Sequence, residues 1–370
     1  MEKNILVVPA FETGRGGGHL VRCIALTQRL RAEGREAWLY FTAEADSLFK
    51  NANFDCSWII DKNGLQNKKW DFIILDFFKT SREELFRWKQ IAPVIGIDEG
   101  GYFRDGFDFL IDILIPENFI SPPANISSPS LLPLPKRKEK TAKKAESKKI
   151  KILISFGQED RKGLGVVVAR SLVKKSSKNT EITLLRGSLN KSSFSPSLPN
   201  VRIIDAIPNL AEHLDEYDLV ITHYGITAYE ALYTGTPVLL ASPTPYHAKL
   251  AKAAGFRTFS SNFNINIIKT LEKHCKALAV KFELDKESAD IAALIGGYSP
   301  QVNRHCPVCG KKAQDRSVAR FKDRTYRRCK HCGIIYMDRT CPPSIEYERE
   351  YFFESYKKQY GKTYLEDFPN

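Results

Sequence analysis

The sequence predicts an α/β protein with two doubly wound parallel-sheet domains, followed by a small cysteine-bearing module. Near-continuous apolar runs alternate with amphipathic helical patterns over residues 1–116, and the alternation begins again over residues 149–300. Such runs are typical of parallel strands buried on both faces. Two Cys-x-x-Cys pairs follow within residues 301–341. A chain of 370 residues with 43% hydrophobic content has room for two such cores and a smaller unit.

The first predicted domain covers residues 1–116 and has a Rossmann-like alternation of strand and helix. Its strands are predicted at Ile5–Pro9, Ala37–Phe41, Phe72–Phe77, Val94–Asp98 and Phe109–Ile115, with helices at Leu20–Glu33 and Arg82–Gln90. Sheets of this kind bind ligands beyond the carboxyl ends of their strands. Loops that follow strands are therefore where we look for a site.

Residues 117–148 are rich in proline, serine and then lysine, which predicts a linker or long surface loop. Residues 149–300 form a second Rossmann-like domain, with a cleft between the domains that suits a nucleotide-linked substrate. Its strands are predicted at Lys151–Phe156, Glu181–Leu185, Val201–Ile204, Asp218–Thr222 and Pro237–Ala241, with helices at Gly165–Lys175 and Tyr229–Thr234.

The net charge of +13 is concentrated in two segments. Residues 136–151 carry nine Lys or Arg against two acids, and residues 301–340 carry eleven against three. The remainder of the chain is slightly acidic. The two main domains are therefore not expected to bind nucleic acid, and a polyanion partner stays open only for the two basic segments.

The cysteines and the apolar runs bear on the location of the protein. Of the eight cysteines, four form two Cys-x-x-Cys pairs and four are scattered. This pattern indicates reduced thiols and a metal site, and it does not match the disulfide framework of a secreted protein. No apolar run approaches the ~18 residues of a membrane span, and the N-terminus lacks the shape of a signal peptide. We expect a cytoplasmic protein without a membrane span.

A glycine-rich turn, residues 14–19, lies between the first strand and the first helix and ends in Gly17, Gly18 and His19. Glycines before a helix N-terminus let backbone amides approach an anion, and histidine is a ready base near neutral pH. The turn has no Lys of a triphosphate loop, and His19 replaces the third glycine of a dinucleotide fingerprint. A flexible glycine turn with a solvent-exposed histidine is the open alternative.

Three acids end later strands of the first domain: Asp76, Asp98 and Glu99. They should lie along the same edge of the sheet as the glycine-rich turn and are candidate substrate contacts. Capping or solvated acids are the alternative interpretation.

The second domain has its own loop after a strand, at residues 223–230. Gly225 and Thr227, near a helix N-terminus, can donate hydrogen bonds to a diphosphate, and Glu230 can accept them from ribose hydroxyls. A helix cap with Glu230 as capping-box partner explains the same residues without a ligand. No Asp-x-Asp triplet occurs, so a metal-bridged diphosphate is not predicted.

These motifs carry a resemblance to a known family. The pattern Gly-x-Gly-His-x-x-Arg-Cys-x-x-Leu at residues 16–26 resembles the opening of the UDP-sugar hydrolase of pseudaminic acid biosynthesis and of related spore-coat polysaccharide proteins. The loop 225–230, with Gly-Thr-Pro at 235–237, is similar to the donor-binding segment of that family and of wider GT-B glycosyltransferases. Gly157 stands where the family begins its second domain. The resemblance covers residues 1–270 and implies two domains of GT-B type.

The resemblance also implies a chemistry. The family's histidine is taken to activate water at the anomeric carbon, which implies His19 as general base, with UDP held by Gly225, Thr227 and Glu230. An inverting glycosyltransferase would use the same base and donor site. No metal is expected at the sugar site. The other candidate substrate-binding residues are Gly17, Gly18, Arg22, Asp76, Asp98, Gly157 and His223.

The C-terminal module has the spacing of a metal site. Cys306 and Cys309 are separated by nineteen residues from Cys329 and Cys332, which is the spacing of a four-thiolate zinc ribbon. Four cysteine ligands favour a closed, structural Zn²⁺ site. His305, His331 and Cys341 are spare candidates that we interpret as bystanders.

Residues 342–370 are rich in aromatic side chains at helical spacing. Together with the ribbon, they resemble the N-terminal segment of class I methyltransferases that carry a zinc ribbon and act on sugars. No methyl-donor glycine loop follows, so we interpret the segment as the start of a truncated methyltransferase-like region. The open alternative is that the ribbon serves as a docking module.

The sequence therefore favours an enzyme that processes a UDP-sugar in surface-glycan biosynthesis, by hydrolysis or by inverting glycosyl transfer. The alternative is a non-catalytic scaffold that binds a nucleotide sugar and presents it to a sugar methyltransferase. A methyltransferase or another glycan-pathway enzyme is a candidate protein partner.

Overall fold

The computed structural model describes most of the chain. The described residues are 3–10, 17–41, 56–132, 134, 149–157, 160, 162–174, 179–187, 198–205, 207, 209–260, 267–284, 291–300, 302–303, 305–312, 316–340 and 350–367. The first three residues of the predicted glycine turn, most of the lysine run and Cys341 lie outside them.

Seven parallel strands form the first sheet, in the order β3-β2-β1-β4-β5-β6-β7. They are β1 Asn4–Pro9, β2 Glu36–Tyr40, β3 Ile59–Ile60, β4 Phe72–Asp76, β5 Val94–Ile97, β6 Phe109–Asp112 and β7 Ile126–Ser127. The central strands β1, β4, β5 and β6 are almost wholly buried, which is why their sequences are continuous apolar runs.

Within the part of the first domain that the structure describes, the α-helices are α1 Gly18–Ala32, α2 Lys62–Asn67 and α3 Arg82–Ile91. A capping box starts α3, with Ser81 accepting from the Glu84 amide while the Glu84 carboxylate accepts from the Ser81 amide. The first turn of α1 is different, because Gly17 precedes it and no side chain caps it. The N-terminal amides of α1 are thus left for another partner.

The first sheet continues beyond residue 116, into the segment expected to be a linker. The edge strand β7 pairs in parallel with β6, and Leu131 and Leu132 are buried in the core. The segment has few apolar residues, and of these Leu131 and Leu132 pack into the core of the described structure. Composition alone therefore placed the start of the linker too early.

Five parallel strands form the second sheet, in the order β10-β9-β8-β11-β12. They are β8 Ile150–Ser155, β9 Thr180–Leu185, β10 Val201–Ile204, β11 Leu219–Thr222 and β12 Val238–Leu240. The helices of this part are α4 Leu164–Val173, α5 Ile226–Thr234, α6 Pro245–Ala253 and α7 Ile268–Lys281. Both sheets therefore have the predicted doubly wound, parallel architecture.

The end of the second predicted domain returns to the first. Helix α8, Ile291–Gly296, lies against α1, and the Tyr298 ring packs edge-on against Phe72 with centroids 5.1 Å apart. Lys3 donates to the carbonyl oxygens of Gly296 and Tyr298. This return fixes the C-terminal module next to the first sheet.

The module is a three-stranded antiparallel sheet in the order β13-β14-β15, comprising β13 Arg316–Phe321, β14 Arg324–Arg328 and β15 Ile335–Arg339. It docks on the first domain through buried arginines. Arg320 and Arg327 both donate to the carbonyl oxygen of Phe107, and Arg327 also pairs with Asp108. Part of the module's basic charge is thus buried in this contact and cannot bind a polyanion.

After the module, residues 350–367 form a π-helical turn at Tyr351–Ser355 and two short helices, α9 Tyr356–Tyr360 and α10 Tyr364–Asp367. Their aromatic rings pack on one another, with Phe352 and Tyr364 centroids 5.2 Å apart. Among the described residues, none of the helices combines the length and the apolar character needed to cross a membrane.

Candidate active site

The candidate site begins with an ion pair between two elements of the first domain. His19 lies in the first turn of α1 and Asp76 ends β4, and His19 Nδ1 is 2.6 Å from Asp76 Oδ1. The Asp76 carboxylate is completely buried, while about 20% of the His19 side chain is exposed. The pair therefore has one face in the interior and one at the cleft.

Arg22, one turn further along α1, holds the same carboxylate. Its Nε and Nη2 donate to the two oxygens of Asp76 at 2.8 and 2.7 Å, and its Nη1 donates to Asp98 at 2.5 Å. Burial alone would raise the pKa of Asp76, but Arg22 and His19 hold it well below its usual range. Asp76 therefore stays ionised at any pH near neutrality.

The ionised carboxylate determines how His19 can act. An Asp76 oxygen that only accepts keeps the proton on His19 Nδ1, so Nε2 carries the free electron pair of the neutral ring. About 20% of the His19 side chain is exposed, so a ligand can reach part of it. His19 is therefore arranged to accept a proton at Nε2.

Asp98 supports this arrangement from the next strand. It follows β5 with a φ of +49°, and its Oδ1 accepts hydrogen bonds from the amides of Ile113, Leu114 and Ile115. Asp98 and Arg22 are each only 3% exposed. We predicted substrate contacts for Arg22, Asp76 and Asp98. In the structure, the charged groups of these residues bind one another, and Asp76 also binds His19.

Glu99, the third acid at this edge, has a local role. It accepts from the amides of Thr80 and Gly101 and from the Thr80 hydroxyl. Burial raises the pKa of Glu99, and these hydrogen bonds partly oppose the rise. The carboxyl group ties two loops together and is not available to a ligand.

The loop of the second domain faces the first. Gly225 precedes α5, and no side chain caps the first turn of that helix. A Cβ built on Gly18 would lie 3.9 Å from Ile226 Cδ1. The structure therefore brings the uncapped N-termini of α1 and α5 together across the cleft, although 200 residues separate them in the chain.

Thr227 and Glu230 lie in the first turns of α5, where Thr227 donates to the Glu230 carboxyl group. Burial raises the pKa of Glu230 to about 7, and the Thr227 hydrogen bond opposes part of this rise. The capping-box interpretation of Glu230 is wrong, because the third residue after the Gly225 cap is Ala228. Glu230 is therefore free of a capping role at the helix start.

His223 and Gly157 form the floor beside this helix. His223 Nδ1 donates to the carbonyl oxygen of Tyr224 at 2.9 Å, which directs Nε2 away from the backbone. Gly157 has a φ of +77°, and a Cβ there would lie 3.5 Å from His223 Nε2. A glycine at this point leaves the space in front of His223 open.

Three residues that the sequence did not single out as site residues also lie at the cleft: Tyr224, Tyr246 and His247. The His247 ring centroid is 6.1 Å from that of His223, and the Tyr246 ring packs edge-on against Phe78 of the first domain. Burial lowers the pKa of His247, and His223 and Lys162 add to the effect. Tyr224 lies in the loop 223–230 but was not itself predicted to bind a ligand, and Tyr246 and His247 lie in α6, outside both predicted motifs.

Comparison with solved structures agrees with this architecture. The rhamnosyltransferase SpnG of spinosyn matches with a TM-score of 0.56, 15% identity, 79% of this chain and 99% of that chain. The glycotransferase of kitacinnamycin matches with a TM-score of 0.55 and 13% identity, and the match covers 80% of this chain and 98% of that chain. MurG of Acinetobacter baumannii matches with a TM-score of 0.52 and 13% identity, and the match covers 79% of this chain and 98% of that chain. The chain has the GT-B fold. At these identities the likeness concerns the fold alone.

Sequence comparisons are sparser. No family model matches the chain. The uncharacterized protein MJ1062 of Methanocaldococcus jannaschii is 24% identical over 270 residues, which cover 64% of this chain and 55% of that protein. This GT-B chain therefore spans about half the length of the curated relative that it matches.

The four cysteines of the C-terminal module also come together. The Sγ atoms of Cys306, Cys309, Cys329 and Cys332 all lie within 4.8 Å of one another. The distances Cys306–Cys332 and Cys309–Cys329 are 3.6 and 3.7 Å. Thiolates bound tetrahedrally at about 2.3 Å from zinc are roughly 3.8 Å apart, so the cluster fits such an ion.

Each Cys-x-x-Cys pair lies on the same type of turn. Gly310 and Gly333, with φ of +67° and +77°, donate to the carbonyl oxygens of Cys306 and Cys329. A side chain would be strained at these glycines. The two Cys-x-x-Cys pairs therefore have the same backbone hydrogen bond and a glycine of positive φ at equivalent positions.

Proposed function

We propose that this chain transfers a sugar from a UDP-sugar to a hydroxyl acceptor, with inversion at the anomeric carbon and His19 as general base. The observation that carries the proposal is the His19–Asp76 pair at 2.6 Å, placed opposite the uncapped N-terminus of α5. A base and an anion-binding helix end on two sides of one cleft are the two elements that such a transfer needs.

In the proposed step, His19 Nε2 takes the proton of the acceptor hydroxyl while its oxygen attacks the anomeric carbon. The bond from that carbon to the UDP oxygen breaks, and UDP leaves on the opposite side. Asp76 keeps the proton on Nδ1 and stabilises the imidazolium that forms. Arg22 fixes Asp76 and does not contact the substrate.

The leaving group is proposed to lie at the second domain. The amides at the N-terminus of α5, with Gly225 and Thr227, would bind the diphosphate, and Glu230 would accept from the ribose hydroxyls. His223 and the open space at Gly157 lie beside the same helix. Gly17 and Gly18 would let the sugar approach His19. The positive helix end can stabilise the departing UDP without a metal.

The test is UDP release from a panel of UDP-sugars by the wild-type chain and by His19→Ala and His19→Gln variants. We expect release that depends on an added hydroxyl acceptor and falls on the order of 10³-fold in both variants. Equal release by all three proteins would falsify the role of His19. Release without acceptor would identify water as the acceptor, the hydrolase chemistry that the sequence resemblance implies.

The non-catalytic alternative predicts a different result in the same assay. A scaffold that only presents the nucleotide sugar would bind UDP, measured by titration calorimetry, but release none from any UDP-sugar, with or without acceptor. Binding together with wild-type turnover excludes the scaffold hypothesis.

We also propose that Cys306, Cys309, Cys329 and Cys332 hold one structural Zn²⁺. Four thiolates leave no open position for catalysis, so the ion would stabilise the module. Elemental analysis of chain purified without chelator should give about one zinc per chain. A value near zero would contradict the assignment.

A further inference from the structure

Tyr224 joins the two domains across the cleft. Its hydroxyl donates to the carbonyl oxygen of Leu114, in the first domain, at 2.6 Å. The hydroxyl of Tyr229 lies 2.7 Å from that of Tyr224, and because the Tyr224 proton goes to Leu114, Tyr229 is the donor. Burial raises the pKa of Tyr224 far above its usual value, so the phenol remains a donor at every pH at which the protein is folded.

The acceptor of this bond is itself fixed to the candidate site. The amide of Leu114 donates to Asp98 at 2.7 Å. The other Asp98 oxygen accepts from Arg22, which holds the Asp76 carboxylate against His19. The backbone at Leu114 and the His19 ring are thus connected through a buried network of Asp98, Arg22 and Asp76.

The donor end of the bond lies in the loop of the second domain. Tyr224 stands between His223 and Gly225, directly before α5. The Tyr224 hydrogen bond to Leu114 therefore ties the backbone just before Gly225 and α5 to the first domain. The chain of contacts therefore runs from the proposed UDP-binding loop to the proposed base without a break.

We propose that Tyr224 is a positioning residue, whose hydrogen bond to Leu114 sets the distance between the UDP-binding loop and His19. The inference rests on the proposed function, since it concerns the geometry of that transfer. Attack at the anomeric carbon needs the reacting atoms within about 3–3.5 Å, and a displacement of about 1 Å is costly to the rate. A side chain that links the loop proposed to bind UDP to the network that holds His19 would keep the reacting atoms at this distance.

Tyr224→Phe removes the bond between the domains, and Tyr229→Phe is the matched control. Both changes delete one buried phenol oxygen from neighbouring rings, but among the described residues the Tyr229 hydroxyl bonds to Tyr224 of the same domain and not to the first domain. In Tyr224→Phe we expect kcat to fall about tenfold, while Kd for UDP stays within about twofold. In Tyr229→Phe we expect kcat within about twofold of wild type.

A purely structural role would give another pattern. Equal losses of kcat in both variants, or a kcat of Tyr224→Phe close to wild type, would overturn the proposal. Hydrogen exchange gives a readout without substrate: amides 113–115 should exchange faster in Tyr224→Phe than in Tyr229→Phe. Unchanged exchange in Tyr224→Phe would also overturn it.

The failures of the two proposals are distinguishable. A wild-type chain without turnover on any UDP-sugar removes the proposed function, and the role of Tyr224 with it. A wild-type chain with turnover, beside a Tyr224→Phe variant that matches it, removes the role of Tyr224 alone.

Discussion

Asp76 serves two neighbours at once, and its replacement should affect both. It orients His19 and is also one of the two carboxylates that neutralise the buried Arg22. In Asp76→Asn, the amide no longer holds the Nδ1 proton in place, and Arg22 keeps only Asp98 as a charged partner. We expect kcat to fall on the order of 10³-fold and the free energy of unfolding to fall by about 3 kcal/mol.

Steady-state UDP release and urea unfolding measure these two effects. The control is Asp71→Asn, which removes an exposed carboxylate just before the same strand, where it accepts from the Asn4 amide. That variant should retain kcat and lose far less stability. Wild-type kcat in Asp76→Asn would contradict the orienting role.

Glu230 should make UDP binding depend on pH. Burial raises its pKa to about 7 in the folded chain, so near neutrality the carboxyl group is partly protonated. Ribose hydroxyls that donate to the carboxylate favour the ionised form. We therefore expect Kd for UDP to fall as the pH rises from about 6 to 8, by up to about tenfold for each unit by which UDP lowers this pKa.

The stability of the free protein depends on pH in the opposite sense. A carboxyl group with a raised folded-state pKa stabilises the fold below its unfolded pKa, and this contribution is lost as the pH rises through about 7. Glu230→Gln should remove both trends in titration calorimetry and in thermal unfolding. If the pH dependence of Kd persists in Glu230→Gln, another group causes it.

At the scale of single elements, strand β5 shows how a core position controls the site. Gly96 lies in the middle of β5, and a Cβ there would be 2.8 Å from two atoms of the fully buried Phe107 ring. Gly96→Ala must therefore displace the strand that carries Asp98 at its end. We expect a loss of about 1–3 kcal/mol in the free energy of unfolding, together with a lower kcat.

Gly297→Ala is the matched control, because a Cβ there makes only ordinary contacts at 3.6 Å and the residue is exposed. Gly297→Ala should leave the free energy of unfolding and kcat unchanged. A loss of stability in Gly96→Ala without any change in kcat would mean that β5 does not position Asp98.

The strands and the two site loops could be predicted from the sequence because each has a local signal. Buried parallel strands are apolar runs, and both site loops follow a strand and open a helix. The two-residue strand β7 has no such signal, since its pairing with β6 depends on the sheet edge that it covers. Tyr224, Tyr246 and His247 were not predicted as site residues, because their roles come from contacts between domains.

The charged residues of the site show the same limit of prediction from sequence. The sequence predicted contacts with a ligand for Arg22, Asp76 and Asp98, and in the structure these residues form a buried network next to His19. It could not distinguish a charge that meets the substrate from one that is neutralised by a neighbour. That difference depends on burial, which follows from the packing of α1 on β4 and β5.

For the whole molecule, the position of the C-terminal module is the main consequence of the packing. Arg327 is buried between Asp338 of the module and Asp108 of the first domain. Burial would raise the pKa of Asp108, but Lys89 and Arg327 hold it below its usual value. The module is therefore joined to the first sheet by buried charges and hydrogen bonds, which rules out a freely tethered arrangement for the described residues.

This connection means that loss of the proposed zinc should reach the first domain. Without the ion, the four thiolates no longer hold β13–β15 together, and Arg320 and Arg327 lose the scaffold that directs them to the Phe107 carbonyl. In Cys309→Ser, or after chelation, we expect amides 105–108 to exchange about tenfold faster or more. His331→Ala, which removes an exposed side chain beside Cys332, should leave zinc content and exchange unchanged. If exchange at 105–108 stays at the wild-type rate in Cys309→Ser, the module folds and docks without the metal.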